Sequence, residues 1–426
     1  MNFEQFQLNP KILEAVKACG YKKPTPVQAQ SIPCILEGKD VVASAPTGTG
    51  KTAAYVLPIL HRLALKKASK ARVLILTPTR ELAGQITDVI NKYGRFLHLN
   101  IVPIVGGLPY QQQLRALSRS TDIIIATPGR LKDHLDNQGL DLSKVEVLVL
   151  DEADRMLDMG FINDVKEIMS STAKNRQTLL FSATVDNQLM SLVKNFMHQP
   201  VKINLSETNN APDLIKQELY MADSTKHKTN LLMHFLNETN IYKAIIFSAT
   251  KRNAGKLATH LRDNGHAAAP LHGDLKQSVR NRTLEQLRRG KIQYLVATDV
   301  AARGIDVLDI SHIINYDLPR CAEDYVHRIG RTGRAGKTGI AISLAVPGDM
   351  QHLHSIERYI GSPLERLSIV GLEAVAIAPM AEAAPSRSRS PKGRGGYSRS
   401  SRSGGGKSSH GAAPSRRPQR SRRKAS

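Results

Sequence analysis

Cysteine is scarce: Cys19, Cys34 and Cys321 stand far apart, with no Cys-x-x-Cys pair. That argues against a disulfide framework or a zinc site and points to a reducing compartment. No apolar run approaches eighteen residues, and the start "MNFEQFQLNP" has no basic segment leading into an apolar one. Neither a membrane span nor a secretory leader is expected, and the expected setting is cytoplasmic. Acidic residues are missing altogether from 383–426, a segment that holds thirteen Lys and Arg of a chain whose formal net charge is +23. More than half of the excess charge therefore lies in a tail. A polyanion, nucleic acid foremost, is the implied partner, and a merely soluble basic protein is the plainer alternative. The tail is Ser, Arg, Gly and Pro with one aromatic, Tyr397. Too little apolar surface is available there to offset the entropy of ordering, so it is expected to be disordered.

At 426 residues the chain has room for two or three domains, each with its own core. Short β-rich apolar runs recur between residues 40 and 345, and each stops at small, polar or charged residues. The first half has "DVVASA", "RVLIL", "DIIIA", "VEVLVL" and "TLLF"; the second has "KAIIF", "IQYLVA", "HIINY" and "GIAISLAV". Helical patterns such as "KTAAYVLPILHRLALKKA" and "SVRNRTLEQLRRG" separate them. Near-continuous apolar strands alternating with helices predict an α/β fold of parallel sheets covered on both faces. Ligands of such sheets bind beyond the carboxyl ends of the strands, where the polar clusters fall. The polar stretch "NLSETNNAPDLIKQ" at 204–217 marks a joint between two sheets, and "FSAT" closes an apolar run at 181–184 and again at 247–250, a hint that the halves are related folds.

"APTGTGKT", residues 45–52, follows a strand and opens a helix, the pattern of a phosphate-binding loop. Ala45, Pro46, Thr47, Gly48, Thr49 and Gly50 form a turn whose N–H groups close around phosphate oxygens, and the helix N-terminus adds positive potential. Lys51 is placed to reach the β- and γ-phosphates and the Thr52 hydroxyl to bind Mg2+. "VLVLDEAD" brings carboxylates to a strand end: Asp151 suits magnesium, and Glu152 is the candidate to position and deprotonate an attacking water. Alone, the first motif could be an ordinary turn and the second a solvated helix start. Together they imply a nucleotide polyphosphate with Mg2+; ATP is what the resemblance below implies. A further stretch raises a question: "HRIGRTGRAG" at 327–336 packs three arginines and a histidine among glycines with no acidic residue. Like charges so close repel unless an anion joins them.

These motifs, in their order, resemble the DEAD-box RNA helicases of superfamily 2, from Phe3 to about residue 370. The resemblance rests on "GYKKPTPVQ" at 20–28, "PTRELA" at 78–83, Gly106-Gly107, "TPGR" at 127–130, "SAT" at 182–184, "HGDLKQSVR" at 272–280, "ATDVAARGID" at 297–306 and "HRIGRTGR". The chain departs at Pro46, where most members have Gln; since backbone amides, Lys51 and Thr52 do the loop's work, activity is expected to survive. The spelling "SAPTGTGKT" with "DEADRMLDMGF" is most similar to bacterial members of the RhlE and SrmB type.

The resemblance implies two tandem RecA-like domains, each a parallel sheet flanked by helices. They would span 1–205, with the adenine-reading motif in 1–29, and 217–375, joined by a linker at 206–216 and followed by a disordered basic tail at 376–426. It implies that Gln28 reads the adenine edge near the rings of Phe3 and Tyr21, and that Gly304 and Asp306 bind the nucleotide, Asp306 at the ribose hydroxyls. Arg331 and Arg334 are implied to reach across the cleft to the γ-phosphate, which would be the missing anion. RNA would be held by Pro78, Thr79, Arg80, Gly106, Gly107, Thr127, Gly129 and Arg130 from one side and by Gly273, Gln277, Arg280 and Thr298 from the other. Ser182 and Thr184 would couple hydrolysis to strand separation.

The implied function is an RNA-dependent ATPase that couples ATP binding and hydrolysis to local strand separation, or to remodelling of RNA and RNA–protein complexes. An ATP-gated RNA clamp or assembly platform with little unwinding is the alternative. Backbone contacts carry little sequence information, and contacts to the 2′-OH would separate RNA from DNA. The tail reads as a tether that raises local RNA concentration. The protein is expected to be a monomer, with ribosomal precursors or RNA-decay complexes among its possible settings.

Overall fold

The structure, a computed structural model, describes residues 2–46, 48–65, 70–205, 214–238, 241–302, 309–333 and 337–374. Thr47, Gly304, Asp306 and Arg334, residues 206–213 of the linker and the tail from 375 lie outside the described residues. Two seven-stranded sheets form two lobes. The first holds β1 (Val41–Ser44), β2 (Val73–Leu76), β3 (Ile101–Ile104), β4 (Ile123–Ala126), β5 (Val147–Asp151), β6 (Gln177–Ser182) and β7 (Val201–Asn204), in the order β3-β4-β2-β5-β6-β1-β7. The second holds β8 (Ile215–Met221), β9 (Ala244–Phe247), β10 (Ala268–Leu271), β11 (Tyr294–Ala297), β12 (His312–Asn315), β13 (Gly339–Ala345) and β14 (Glu365–Leu367), in the order β10-β11-β9-β12-β13-β8-β14. All pairings between described strands are parallel.

The two orders are one topology used twice, which makes the halves related folds. The repeated "FSAT" does not express that relation. Its first copy closes β6 and its second closes β9, whose counterpart in the first sheet is β2.

Each apolar run becomes a strand because both faces of each sheet are covered. Along the first sheet Val41, Ala43, Val73, Ile75, Val147 and Val149 join one core, while Val42, Leu74, Leu76, Leu148 and Leu150 join another on the opposite face. Period-2 alternation with both sets buried leaves no polar positions to interrupt the run.

Strand order decides what can meet. β5, β6 and β1 are neighbours, so the loop 45–50, Asp151 and Ser182 converge at one end of the first sheet. β3, β4 and β2 are neighbours at its other side, and they bring together Gly106, Thr127 and Thr79. The second sheet repeats this with β10 and β11, which deliver Gly273 and Thr298.

Candidate active site and interlobe groove

The loop after β1 turns sharply: Gly48 and Gly50 have φ of 81° and 90°. Glycine is required at Gly50 twice over, since an added Cβ would also stand 2.5 Å from Gln28 Nε2. Gln28 donates from Nε2 to the Gly50 carbonyl at 3.1 Å and accepts from the Thr25 amide at 3.0 Å, tying the adenine-reading segment to the loop. Thr49 donates its hydroxyl to the Pro46 carbonyl at 2.8 Å. Lys51, opening the helix Lys51–Leu65, is buried and donates to the carbonyls of Ala45 at 2.6 Å and Ser182 at 3.3 Å. Asp151 is buried at the end of β5, where its oxygens accept from Tyr55 Oη at 2.8 Å and from the Glu152 amide at 3.0 Å. Burial and the neighbouring Glu152 push its pKa up to about 6, against the pull of Lys51 and Tyr55. Thr52 is half-buried next to Lys51. A buried ammonium held by carbonyls, beside a buried carboxylate whose charge is costly, fits a phosphate group carrying a divalent cation.

Phe3 is buried in the first lobe's core at 6.1 Å from the Phe6 ring, whereas Tyr21 is half-exposed and lies by Tyr93 and the Lys92 ammonium. The two rings have different surroundings.

Glu152 has φ +50°, a left-handed conformation unusual outside glycine, and residues held this way cluster at functional sites. Its side chain lines a small cavity between the lobes together with Arg155 of the first lobe and Asp299, Asp324, His327, Arg328 and Arg331 of the second. Glu152 and Arg331, far apart in sequence, therefore share one space. Two of the three arginines of "HRIGRTGR" fall within the described residues, and they differ. Arg328 is buried and already satisfied: Nε and Nη2 grip Asp299 at 2.6 and 2.7 Å, and Nη1 donates to Asn315 Oδ1 at 3.1 Å and the Asp317 carbonyl at 2.6 Å. Its anion is internal to the second lobe; Arg331 lines the same cavity.

The last aspartate of "DEAD" has its own work. Asp154 Oδ2 accepts from the amides of Ala183 and Thr184 at 3.1 Å each and from the Thr184 hydroxyl at 3.2 Å, while its own amide donates to Ser182 Oγ at 3.3 Å. Ser182 and Thr184 are thus bound to the carboxylate segment. Arg155 Nη1 donates to Asp324 of the second lobe at 2.7 Å and to Asp158 at 2.9 Å. Burial opposes its charge, but the carboxylates of Asp324, Asp154 and Asp158 outweigh it and raise the pKa. Burial between Arg155 and Arg331 lowers the pKa of His327 far below the usual imidazole value.

At the other side of the interface a cleft of about 620 Å³ is lined by Arg80, Leu108 and Gln277 among others. Arg80 lies over Gly107, whose absent Cβ would stand 2.0 Å from Nη1. Arg80 Nη1 reaches Gln277 Oε1 at 3.5 Å. Glu81 accepts from Gln277 Nε2 at 2.8 Å and pairs with Arg280 at 3.0 Å, so both second-lobe residues are engaged by the first lobe. Thr79 caps the helix Arg80–Tyr93 through the Leu82 amide, with Pro78 buried before it. Arg130 donates to the Leu108 carbonyl at 3.2 Å and lies over the Tyr110 ring. Pro78, Thr79, Gly106, Gly107, Thr127, Gly129, Arg130, Gly273 and Thr298 do not line that cleft. Gly273 lies 3.6 Å, as an added Cβ, from Lys251, and Thr298 is buried at the end of β11.

Sequence reasoning missed Glu81, Asp154, Arg155, Asp299 and Asp324. Asp154 and Arg155 stood inside a quoted motif, and Glu81 inside "PTRELA"; only the fold shows what each faces.

Known proteins carry the same arrangement. Residues 25–192 match the DEAD/DEAH box helicase family and residues 227–336 the helicase conserved C-terminal domain. The chain is 43% identical over 375 residues to the ATP-dependent RNA helicase SrmB of Haemophilus influenzae, covering 87% of this chain and 85% of that protein. Among solved structures, Saccharomyces cerevisiae Dbp5 bound to RNA and ADP BeF3 matches with a TM-score of 0.78 and 33% identity, over 86% of this chain and 95% of that one. A Dbp5 variant bound to Nup159, Gle1, IP6 and ADP matches with 0.59 and 31% identity, over 84% and 95%. The present structure agrees better with the first of these two.

Replacing Arg328 by Ala should leave Asp299 and Asn315 without their partner inside the second lobe and cost about 3 kcal/mol, the scale of breaking a buried pair. Urea denaturation checks this; an unchanged midpoint would contradict the structural assignment of Arg328.

Proposed function

The chain belongs to the DEAD/DEAH box helicase family, and we propose that it works as an RNA-dependent ATPase whose two lobes share one nucleotide to separate or remodel RNA locally. The observation that carries this reading is the cavity in which Glu152 of the first lobe faces Arg331 of the second. In this reading Lys51 exchanges the carbonyls of Ala45 and Ser182 for β- and γ-phosphate oxygens. That exchange frees the Ser182 carbonyl, and because Ser182 and Thr184 are bonded to Asp154, nucleotide occupancy is felt along the segment proposed to couple hydrolysis to RNA. Thr52 and Asp151 would hold Mg2+, which when bound neutralises charge between the phosphates. Glu152 orients and deprotonates the water. Arg331 stabilises the charge that develops on the γ-phosphoryl, and Arg334 is assigned the same task; an arginine suits it because its fork matches phosphate oxygens and its charge is permanent. Gln28 acts through the loop as well as on the adenine, with Phe3 supporting from the core and Tyr21 lying open beside it. Gly304 and Asp306 are assigned to the nucleotide, Asp306 to its ribose.

RNA lies across both lobes. Arg80, Arg130 and the backbone around Gly107, Thr127 and Gly129 face the sugar-phosphate chain from one side. Gly273, Gln277 and Thr298 face it from the other, and Arg280 braces the closure through Glu81. Contacts of this kind select RNA by its backbone and 2′-OH rather than by sequence. The basic tail tethers RNA nearby. Free Cys19, Cys34 and Cys321 support a cytoplasmic setting, and among the described residues no helix is long and apolar enough to cross a membrane. A monomer acting on ribosomal precursors or RNA-decay complexes fits this chemistry.

ATPase rates with and without single-stranded RNA test the shared nucleotide. Arg331→Ala should lower the RNA-stimulated rate by about 10³; a variant as fast as wild type, or a wild-type rate indifferent to RNA, would overturn it. The interlobe pair gives an independent check. Arg155→Glu and Asp324→Arg should each cut the stimulated rate about tenfold or more, and the double reversal should regain part of the loss; strictly additive losses would show that the two residues do not act on each other. Removing residues 383–426 should weaken RNA affinity and flatten its salt dependence while leaving the saturated ATPase rate intact, as fluorescence anisotropy across a salt series would read. Identical affinity at every salt concentration would dispose of the tether.

A further inference from the structure

Beneath the nucleotide end of the first lobe, at the amino ends of the same strands β1, β5 and β6, lies a recess of about 390 Å³ that the mechanism does not use. Its wall includes Arg62, Ser143, Lys144, Asn175 and Arg176, all donors. Arg62 stands near the far end of the helix that Lys51 opens, and Gln177 fixes it by accepting from Nη2 at 2.8 Å while its own amide donates to the carbonyls of Ile35 and Lys39. Arg176 is half-buried, donates from Nη1 to the Ala173 carbonyl at 2.9 Å, and holds a buried Nε with no partner among the described residues. Lys144 is exposed and makes no hydrogen bond or ion pair among the described residues.

The nearby carboxylates are committed elsewhere. Glu146, on the same wall, is gripped by Arg72 through Nε at 2.9 Å and Nη2 at 2.8 Å. Asp40, whose charge Arg176 feels, accepts the amides of Thr178 and His198 at 2.7 Å each. Burial lowers the pKa of both Arg62 and Arg176, and the carboxylates of Glu146 and Asp40 respectively do not fully offset it. Asp141 already takes the hydroxyl and the amide of Ser143 and pairs with Lys70 at 2.8 Å, so three cations and Asn175 face one space in which the acidic groups are matched.

We propose that this recess is a phosphate-binding site, separate from the nucleotide site, in which Arg62, Lys144 and Arg176 hold a tetrahedral phosphate group with a hydrogen bond from Asn175. The donor set selects an oxyanion rather than a base or an apolar ligand, and a fork from each of two arginines suits a phosphate. The group comes either free in solution or from the backbone of an RNA strand passing behind the lobe. This site does not depend on the functional reading above.

The test uses the full chain saturated with magnesium and a non-hydrolysable ATP analogue, which fills the triphosphate site so that added inorganic phosphate reports on the second site, and measures binding by calorimetry. Arg62→Gln with Arg176→Gln should weaken phosphate binding about tenfold or more, the scale of losing a charged hydrogen bond. Lys144→Gln, at an exposed position that carries no packing, should weaken it in the same direction, which guards against a folding defect in the double variant. A second arm measures single-stranded RNA affinity for the same variants. Weaker RNA binding with a shallower salt slope assigns the backbone as source, and unchanged RNA binding with lost phosphate binding assigns the free anion. Phosphate affinity equal in wild type and both variants, or no binding to wild type, would overturn the site.

Discussion

The grip of Arg155 on Asp324 joins the two lobes, and the proposed chemistry depends on it. Arg155 belongs to the segment that carries Asp151 and Glu152; Asp324 belongs to the helix that carries His327 and Arg328 and leads into Arg331. One hydrogen-bonded ion pair thus links the segment that carries the carboxylates of one lobe to the helix that leads into Arg331 of the other. A buried pair costs desolvation that its attraction repays only when the geometry is good. Such a contact is suited to forming and breaking in a cycle. Glu81, with Gln277 and Arg280, makes the matching contact at the groove end. The lobes are joined at both sides of the interface by polar contacts, which is what an interface that must open requires.

The same topology serves two purposes because a seven-stranded sheet is wide. On the first lobe, three neighbouring strands present the phosphate loop and the carboxylates, while three others deliver Gly106, Thr127 and Thr79. In the proposed function, nucleotide and RNA would therefore contact different parts of one sheet. Between them run short links: Lys51 to the Ser182 carbonyl, Ser182 and Thr184 to Asp154, Asp154 to its neighbour Arg155. Every link is a hydrogen bond or a peptide bond within a few residues of a strand end.

Much of the fold was legible because buried parallel strands write themselves as unbroken apolar runs. The strands without such a signal are chiefly β3, β7, β10 and β14, the sheet edges, where one side is open and the apolar pattern thins to one or two positions. β8 escaped for a related reason: "IKQELYM" keeps polar residues at 216–218, and its first residues fell inside the polar stretch read as a joint. At the site, spacing singled out Lys51, Asp151 and Glu152 as candidates, since each stands at a strand or helix end that the motif itself marks, whereas Arg331 was singled out through the family resemblance. Arg155, Asp324 and Glu81 were illegible because their importance lies in what they meet across the interface, and no local pattern records a partner more than 150 residues away. The distinction between Arg328 and Arg331 was illegible for the same reason: Asp299, which claims the first, lies in another motif.

Single-molecule energy transfer between one dye on each lobe tests the central claim most directly. The account predicts that the short-distance state becomes dominant only when a non-hydrolysable ATP analogue and single-stranded RNA are both present, because each occupies one side of the interface. A distance distribution that does not change when both are added would contradict it.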